Sequence, residues 1–135
     1  MNFLVTSAVN QDERRLRELL NTFESVWKRY PLATIHLSET SRIRPSDAFL
    51  SHIPKRVEVV GFWGAEWIDR AHETNLPIGF IQNAIEIECL QRMMDQQYWY
   101  DRTYKLSGRY QLTDDFSPES HDPEKFTFRY PLRTG

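Results

Sequence analysis

The residues best suited to chemistry lie together in the segment Lys105-Leu106-Ser107-Gly108-Arg109. It combines two cations, a small hydroxyl group and a glycine at the end of a predicted strand. Lysine and arginine neutralise phosphate oxygens, arginine through paired hydrogen bonds, and glycine lets a ligand approach the main chain. The segment therefore predicts a diphosphate-binding strand end. The structural alternative is a β-bulge at Gly108, with Arg109 paired to a surface carboxylate.

The first strand-to-helix turn, Thr6-Ser7-Ala8-Val9-Asn10-Gln11, contains no glycine. The chain has neither the glycine-rich fingerprint of dinucleotide-binding proteins nor a P-loop, which argues against Rossmann oxidoreductases and P-loop NTPases. Thr6 and Ser7 still lie at the carboxyl end of a predicted strand, where open α/β sheets bind their ligands. They are candidate ligand contacts.

Metal-binding and nucleophilic motifs are weakly represented. The four histidines have no ligand spacing, and Cys89, the only cysteine, is expected to be a small buried side chain in a helix. Glu86 and Glu88 point about 200° apart around a helix, so they do not share a site easily. The pair Asp114-Asp115 offers hard oxygen ligands of the kind that Mg²⁺ or Mn²⁺ prefers.

Hydrophobic patterning supplies the elements that would position these residues. The apolar run 3–8 predicts a buried strand, and an amphipathic helix follows, capped by Asn10 and ended by Pro31. With the strand 33–38, this unit has the size and order of a parallel crossover. Further on, we expect a short helix opening at Pro45-Ser46, a strand 56–60, a short helix through Trp63 and Ala71, a helix 80–98, a strand 103–107, and, after a polar loop, a half-exposed strand 125–130.

The bulk properties fit one folded α/β domain spanning residues 1–135, with a core over 1–116 and a loop, short strand and tail over 117–135. Seventeen basic and nineteen acidic residues are mixed along the chain, so no basic patch indicates nucleic acid. No stretch approaches the roughly 20 apolar residues of a membrane span. With no signal peptide and no disulfide framework, we expect a cytoplasmic protein.

The segment Tyr104 to Phe116 resembles a phrase in small glycosyltransferase-like proteins of bacteria and marine phages, Phe-Lys-Ile-Ser-Gly-Arg-Tyr followed by Leu-Asn-Asp-x-Phe. Their amino-terminal part is similar to this one as well, with a strand reading Thr-Ser-Ala and a later Glu-x-Ser. Here those are Thr6-Ser7-Ala8 and Glu39-Thr40-Ser41. The resemblance extends over about residues 3 to 116, and Lys105–Tyr110 is its specific part.

This resemblance implies a three-layer α/β/α fold with a mainly parallel sheet and a GT-A or Rossmann-like nucleotide-binding half. By position, Thr6, Ser7 and Glu39 would border the nucleoside of a nucleotide sugar. The diphosphate or the sugar would lie near a second group, formed by Lys105, Ser107, Gly108, Arg109 and Tyr110. The implied reaction is transfer of the sugar to a glycan or a lipid-linked acceptor.

Two features depart from that family pattern. GT-A enzymes hold their metal with an Asp-x-Asp triplet, which is absent from this chain; Asp114-Asp115 is the nearest substitute. Twenty residues follow Asp115, too few for an acceptor half. The sequence therefore also fits a fragment, a partner-dependent subunit, or a relative that has lost transfer activity. The alternative function is a non-catalytic binding module that uses its aromatic surface to oligomerise or to hold a nucleotide or glycan without turnover. The contact residues of such a module would be Trp63, Trp67, Trp99 and Tyr100. No catalytic base is identified.

Overall fold

A central pair of apolar strands organises the molecule, which is described by a computed structural model for residues 1–96 and 102–120. The order of elements is β1 (Asn2–Ser7), α1 (Glu13–Arg29), β2 (Thr34–Glu39), α2 (Asp47–Leu50), β3 (Glu58–Gly61), α3 (Glu66–His72), α4 (Ile78–Asp95) and β4 (Thr103–Ser107), followed by a short 3₁₀ turn (Pro118–Ser120).

The four strands form one sheet in the order β3-β2-β1-β4, and every neighbouring pair is parallel. Phe3 pairs with Ile35 of β2 and with Tyr104 of β4, so β1 is hydrogen-bonded on both sides. A small parallel sheet with helices between its strands confirms the predicted mixed α/β class.

Successive residues of β1 contribute to two separate hydrophobic clusters. Phe3 and Val5 pack with Leu19 and Phe23 of α1, whereas Leu4, between them, packs with residues of α3 and α4. Because neighbouring side chains of a strand point to opposite faces, the two clusters lie on opposite faces of the sheet. This arrangement explains why β1 is apolar throughout instead of alternating.

The N-cap of helix α1 lies two residues after the predicted one. Asp12 is the N-cap, and its carboxylate accepts hydrogen bonds from the backbone N–H groups of Arg14 and Arg15. The predicted cap, Asn10, instead has a left-handed φ of 48°, and the next residue, Gln11, has a φ of 58°. A cap residue needs an extended backbone, so the prediction of Asn10 was wrong.

The remaining boundaries differ from the prediction by a few residues. β3 begins at Glu58 and includes Gly61, while α4 begins at Ile78 and ends at Asp95. β4 has the predicted bounds. The predicted strand 125–130 lies outside the described residues, as do Trp99 and Tyr100. Among the residues that are described, no helix has the length and apolar character that crossing a bilayer requires.

Candidate functional site

The carboxyl ends of the four strands line one edge of the sheet, which we call the carboxyl edge. Ser7, Glu39, Gly61 and Ser107 are the last residues of β1, β2, β3 and β4. Along the chain, β2 and β3 are added in turn on one side of β1, and β4 is then added on the other side of β1. The order therefore reverses between β1 and β4, and such a switch point is where open α/β sheets form ligand crevices.

The Ser-Gly-Arg turn is fastened to β1 at this switch point. Ser107 pairs with Thr6 in the sheet. The N–H of the next residue, Gly108, donates to the carbonyl oxygen of Thr6 at 2.8 Å. A Cβ atom on Gly108 would lie 2.8 Å from Leu19 Cδ1 and 3.1 Å from the Thr6 carbonyl oxygen. Glycine is therefore needed here for close approach of two backbones, and the turn follows β4 instead of forming a bulge inside it.

Arg109 follows this turn and is exposed. Its backbone N–H donates to Ser107 Oγ at 3.4 Å, and the part of the chain that the structure describes contains no ion pair of its guanidinium group. The alternative in which Arg109 is neutralised by a surface carboxylate thus has no support among those residues. The cation is available at the carboxyl edge.

Beyond Arg109 the chain crosses α1, forming what we call the return segment (residues 110–116). The hydroxyl group of Thr22 donates to the Tyr110 carbonyl oxygen at 2.7 Å, and the Leu112 N–H donates to Ser25 Oγ at 2.8 Å. These contacts fix the backbone of Tyr110 while its side chain remains 66% exposed. The backbone of Tyr110 is thus structural, and its ring is accessible.

The return segment carries Asp114 and Asp115 away from the carboxyl edge. Arg29, in the last turn of α1, donates to the Thr113 carbonyl oxygen at 2.5 Å. Helix α1 runs antiparallel to the strands, and Thr22 and Arg29 are about 10 Å apart along its axis. The aspartate pair is therefore at the amino end of the sheet, and the structure does not bring it together with Thr6, Ser7 and Glu39.

The aspartate pair offers few ligands of its own to a cation. Both residues are exposed, and within residues 1–96 and 102–120 no group of three or more His, Cys, Asp and Glu side chains is arranged to hold a metal ion. Mg²⁺ is usually held by one or two carboxylates together with water molecules and substrate phosphates. The aspartate pair lies at the amino end of the sheet, away from Arg109 and the carboxyl edge, so it does not fit a metal that would bridge a diphosphate at that edge, and we derive no step that passes through a metal.

Lys105 is held by a residue that the sequence did not predict as part of the site. Glu86 of α4 forms an ion pair with Lys105, and the same Oε1 atom accepts a hydrogen bond from Thr6 Oγ1 at 3.2 Å. Glu86 thus joins α4 to both strands of the switch point. Two features of the sequence could have indicated this ion pair. Glu86 is next to Ile85, which faces the sheet, and Lys105 is a charged residue in the middle of β4.

Glu39 is buried beneath the loop that follows β1. It is 2% exposed, and its Oε1 atom accepts hydrogen bonds from the N–H groups of Val9 and Ser41, both at 3.1 Å, and from the Ser41 hydroxyl group. Burial raises the pKa of the Glu39 carboxyl group, and these hydrogen bonds oppose the rise. The geometry makes Glu39 an anchor for the loop between β1 and α1.

A small cavity lies next to Glu39. It encloses about 10 Å³, room for roughly one water molecule, and the rest of its lining is apolar. The apolar lining includes Val9, Leu37 and Phe49. Thr6 and Arg109 do not line it, so this cavity is not the predicted cleft.

The contacts of Cys89 and of the two helix glutamates agree with their predictions. Cys89 is fully buried, its Sγ lies 2.6 Å from Ser38 Oγ, and burial raises the pKa of its thiol. Glu86 and Glu88 have separate partners, the latter an ion pair with Arg92. His36 is buried, with its Nε2 atom 2.6 Å from a carboxylate oxygen of Glu58.

The aromatic residues predicted as an interaction surface are partly used in packing. Trp67 contacts the Phe62 ring edge-on at a centroid distance of 5.6 Å and lies beneath the Arg92 guanidinium group. The Trp63 ring fills the space where a Cβ atom on Gly61 would be. Both tryptophans are half-buried, and Trp67 packs against the core cluster formed by α3 and α4.

Comparison of the chain with protein-family models, with curated proteins and with solved structures gives no match.

Proposed function

We propose that the chain is a glycosyltransferase-like protein with a three-layer, GT-A-type nucleotide-binding core, and that it binds a nucleotide-diphosphate sugar at the carboxyl edge. The single observation that carries the proposal is the hydrogen bond from Gly108 to Thr6. It seats the Ser-Gly-Arg turn at the point where the strand order reverses, which is the favoured ligand position in open parallel sheets.

Arg109 is the residue to which we assign the diphosphate. Its guanidinium group is exposed and without an ion pair in the described chain, whereas Lys105, in the middle of β4, is neutralised by Glu86. A guanidinium group binds phosphate oxygens through two parallel hydrogen bonds. The hydroxyl groups of Ser7 and Ser107 flank the same switch point and are the proposed neutral contacts.

The nucleoside is assigned to the loop between β1 and α1. Glu39 anchors this loop from below, and the Asn10 N–H donates to Ser41 Oγ at 2.9 Å, so two contacts tie it to the end of β2. A loop fixed in advance loses little conformational entropy when a ligand binds. In this proposal Glu39 acts as a positioning residue for the nucleoside-binding loop.

Sugar transfer would follow from this arrangement. The bond between the anomeric carbon and the diphosphate oxygen breaks, and its electron pair leaves with the diphosphate. An acceptor hydroxyl group, on a glycan or a lipid-linked molecule, bonds to the anomeric carbon and gives up its proton to a base. Arg109 stabilises the charge that develops on the departing diphosphate. Participation of a divalent cation remains a prediction, and titration with and without Mn²⁺ tests it.

The proposal is tested by calorimetric titration with UDP, GDP and CDP, each with and without Mn²⁺. We expect at least one nucleoside diphosphate to bind, and Arg109→Ala to weaken binding by at least about tenfold, the loss expected for a charge-assisted hydrogen bond. Arg102→Ala is the matched control, because Arg102 is an exposed arginine just before β4, at the opposite end of that strand.

Two results would contradict this proposal. The first is absence of binding by all three nucleotides, and the second is an equal loss for the Arg109→Ala and Arg102→Ala variants. Release of the nucleoside diphosphate from the matching nucleotide sugar then separates a transferase from a binding module, because a module binds the donor without cleaving it.

A further inference from the structure

Helix α4 has apolar side chains on two opposite faces. The first face, formed by Ile81, Ile85, Cys89 and Met93, is buried against the sheet. On the other side, Phe80, Ile87 and Met94 are exposed over 64%, 69% and 55% of their surface. A helix face that meets water is normally polar. Three large apolar side chains on this face therefore favour a partner that covers it.

The exposed apolar residues have the spacing of a helix-pairing seam. Phe80, Ile87 and Met94 recur every seven residues, and Ala84 and Gln91 fall between them at intervals of four and three. This average spacing of 3.5 residues keeps a stripe directed at a second helix. We call these residues, together with the exposed Asn83, the α4 stripe.

The α4 stripe is complementary to itself. It contains no charged residue. Its charged neighbours are Glu88, paired within the helix to Arg92 at 3.0 Å, and Asp95 at the end of the helix, whose carboxylate accepts a hydrogen bond from Gln91 at 3.2 Å. Two copies related by a twofold axis near Ile87 would set Phe80 of one copy opposite Met94 of the other. An isologous contact of this kind uses one patch twice and closes on itself. It brings together no unpaired like charges, which would otherwise oppose self-association.

The area of the stripe suits a dimer at the small end of specific interfaces. Its three large side chains expose roughly 100 Å² each, and Asn83, Ala84 and Gln91 bring the total to roughly 500 Å² per copy. If both stripes were fully covered, two copies would bury about 1,000 Å², which is the size of a weak or transient interface. We propose that the α4 stripe is the interface of a homodimer in which two copies pack α4 antiparallel, with a dissociation constant in the micromolar range.

Sedimentation velocity of the full chain between about 1 and 200 μM tests the proposal. We expect the wild-type chain to shift from monomer to dimer across this range, and Ile87→Glu to weaken association by at least tenfold. Ile43→Glu is the matched control, because Ile43 is also an isoleucine, 72% exposed, and outside the stripe. Circular dichroism verifies that both variants are folded.

A crosslinking experiment tests the antiparallel geometry. In Ile87→Cys the two thiols meet near the twofold axis, so mild oxidation should produce a covalent dimer, whereas Ile43→Cys should remain monomeric. A wild-type chain that is monomeric at every concentration overturns the proposal. If Ile87→Glu then destabilises that monomer, the stripe is covered by another part of the same chain. Equal association of the Ile87→Glu and Ile43→Glu variants would overturn it as well.

Discussion

Glu39 shows how the surroundings of one residue determine its role. The carboxyl group lies at the end of a core strand, where it accepts two backbone N–H groups and one hydroxyl group. Those donors belong to the loop after β1 and to Ser41, so the side chain links two connections at the carboxyl edge. Its burial opposes ionisation, and therefore part of the folding free energy depends on pH.

Glu39→Gln should change the pH dependence of stability. The pKa of Glu39 is raised in the folded state. The favourable contribution of this carboxyl group to the free energy of unfolding is therefore complete below the unfolded pKa near 4.5, and it is lost as pH rises through the folded value. Glutamine keeps an oxygen acceptor without the charge. From pH 4 to pH 8, we expect the variant to gain stability relative to wild type in urea unfolding.

The control for this measurement is Glu24→Gln, which removes one charge from an exposed position on α1. Its stability difference from wild type should change less over the same pH range. If wild type instead becomes more stable relative to Glu39→Gln as pH rises, the carboxyl group is stabilised in its charged form, and burial does not dominate its pKa.

At the scale of elements, the turn after β4 is fixed by contacts on both sides. Gly108 touches β1, and the return segment is hydrogen-bonded to three side chains of α1, those of Thr22, Ser25 and Arg29. Phe116 at its end packs against Phe3. The Lys105–Tyr110 phrase therefore has a structural function, holding β4 and α1 together, besides the ligand role that we propose for Arg109.

Gly108→Ala should destabilise the fold by about 1–3 kcal/mol, the usual cost of inserting a methyl group into a packed site. The new methyl group would press on Leu19, a core residue, and on the Thr6 carbonyl oxygen. Gly79→Ala is the control, because nothing lies within 4 Å of a Cβ atom there. In α4 that change should be neutral or stabilising by up to about 1 kcal/mol. Urea unfolding that gives equal effects for both variants would contradict this account.

Local sequence patterns were sufficient for the elements whose signals are strong. The amphipathic spacing of α1 and the bounds of β4 were predicted, but the cap of α1 was not, because Asn10 and Asp12 are both good cap residues. Only the left-handed backbone at Asn10 and Gln11 decides between them. Glu86 was missed because its contacts with Thr6 and Lys105 depend on the rotation of α4 over the sheet.

At the scale of the molecule, the crossover 3–38 predicted a parallel pair but left the position of β4 open. The pairing of β4 with β1, not with β3, creates the switch point and joins Thr6 to Gly108. This pairing links residues about a hundred positions apart, which no local pattern determines. The same topology separates Asp114 and Asp115 from Ser7 and Arg109, although Asp114 lies only five positions after Arg109.

Binding of a nucleotide at the carboxyl edge is tested most directly by the amide chemical shifts of the ¹⁵N-labelled chain during titration with UDP, GDP and CDP. We predict that a binding nucleotide shifts the amides of Ser7, Val9, Gly108 and Arg109 most, and leaves Asn2, Thr34 and Thr103, at the amino ends of the strands, nearly unchanged. Shifts concentrated at those amino ends, or on the α4 stripe, or no shifts at millimolar nucleotide, would contradict the claim.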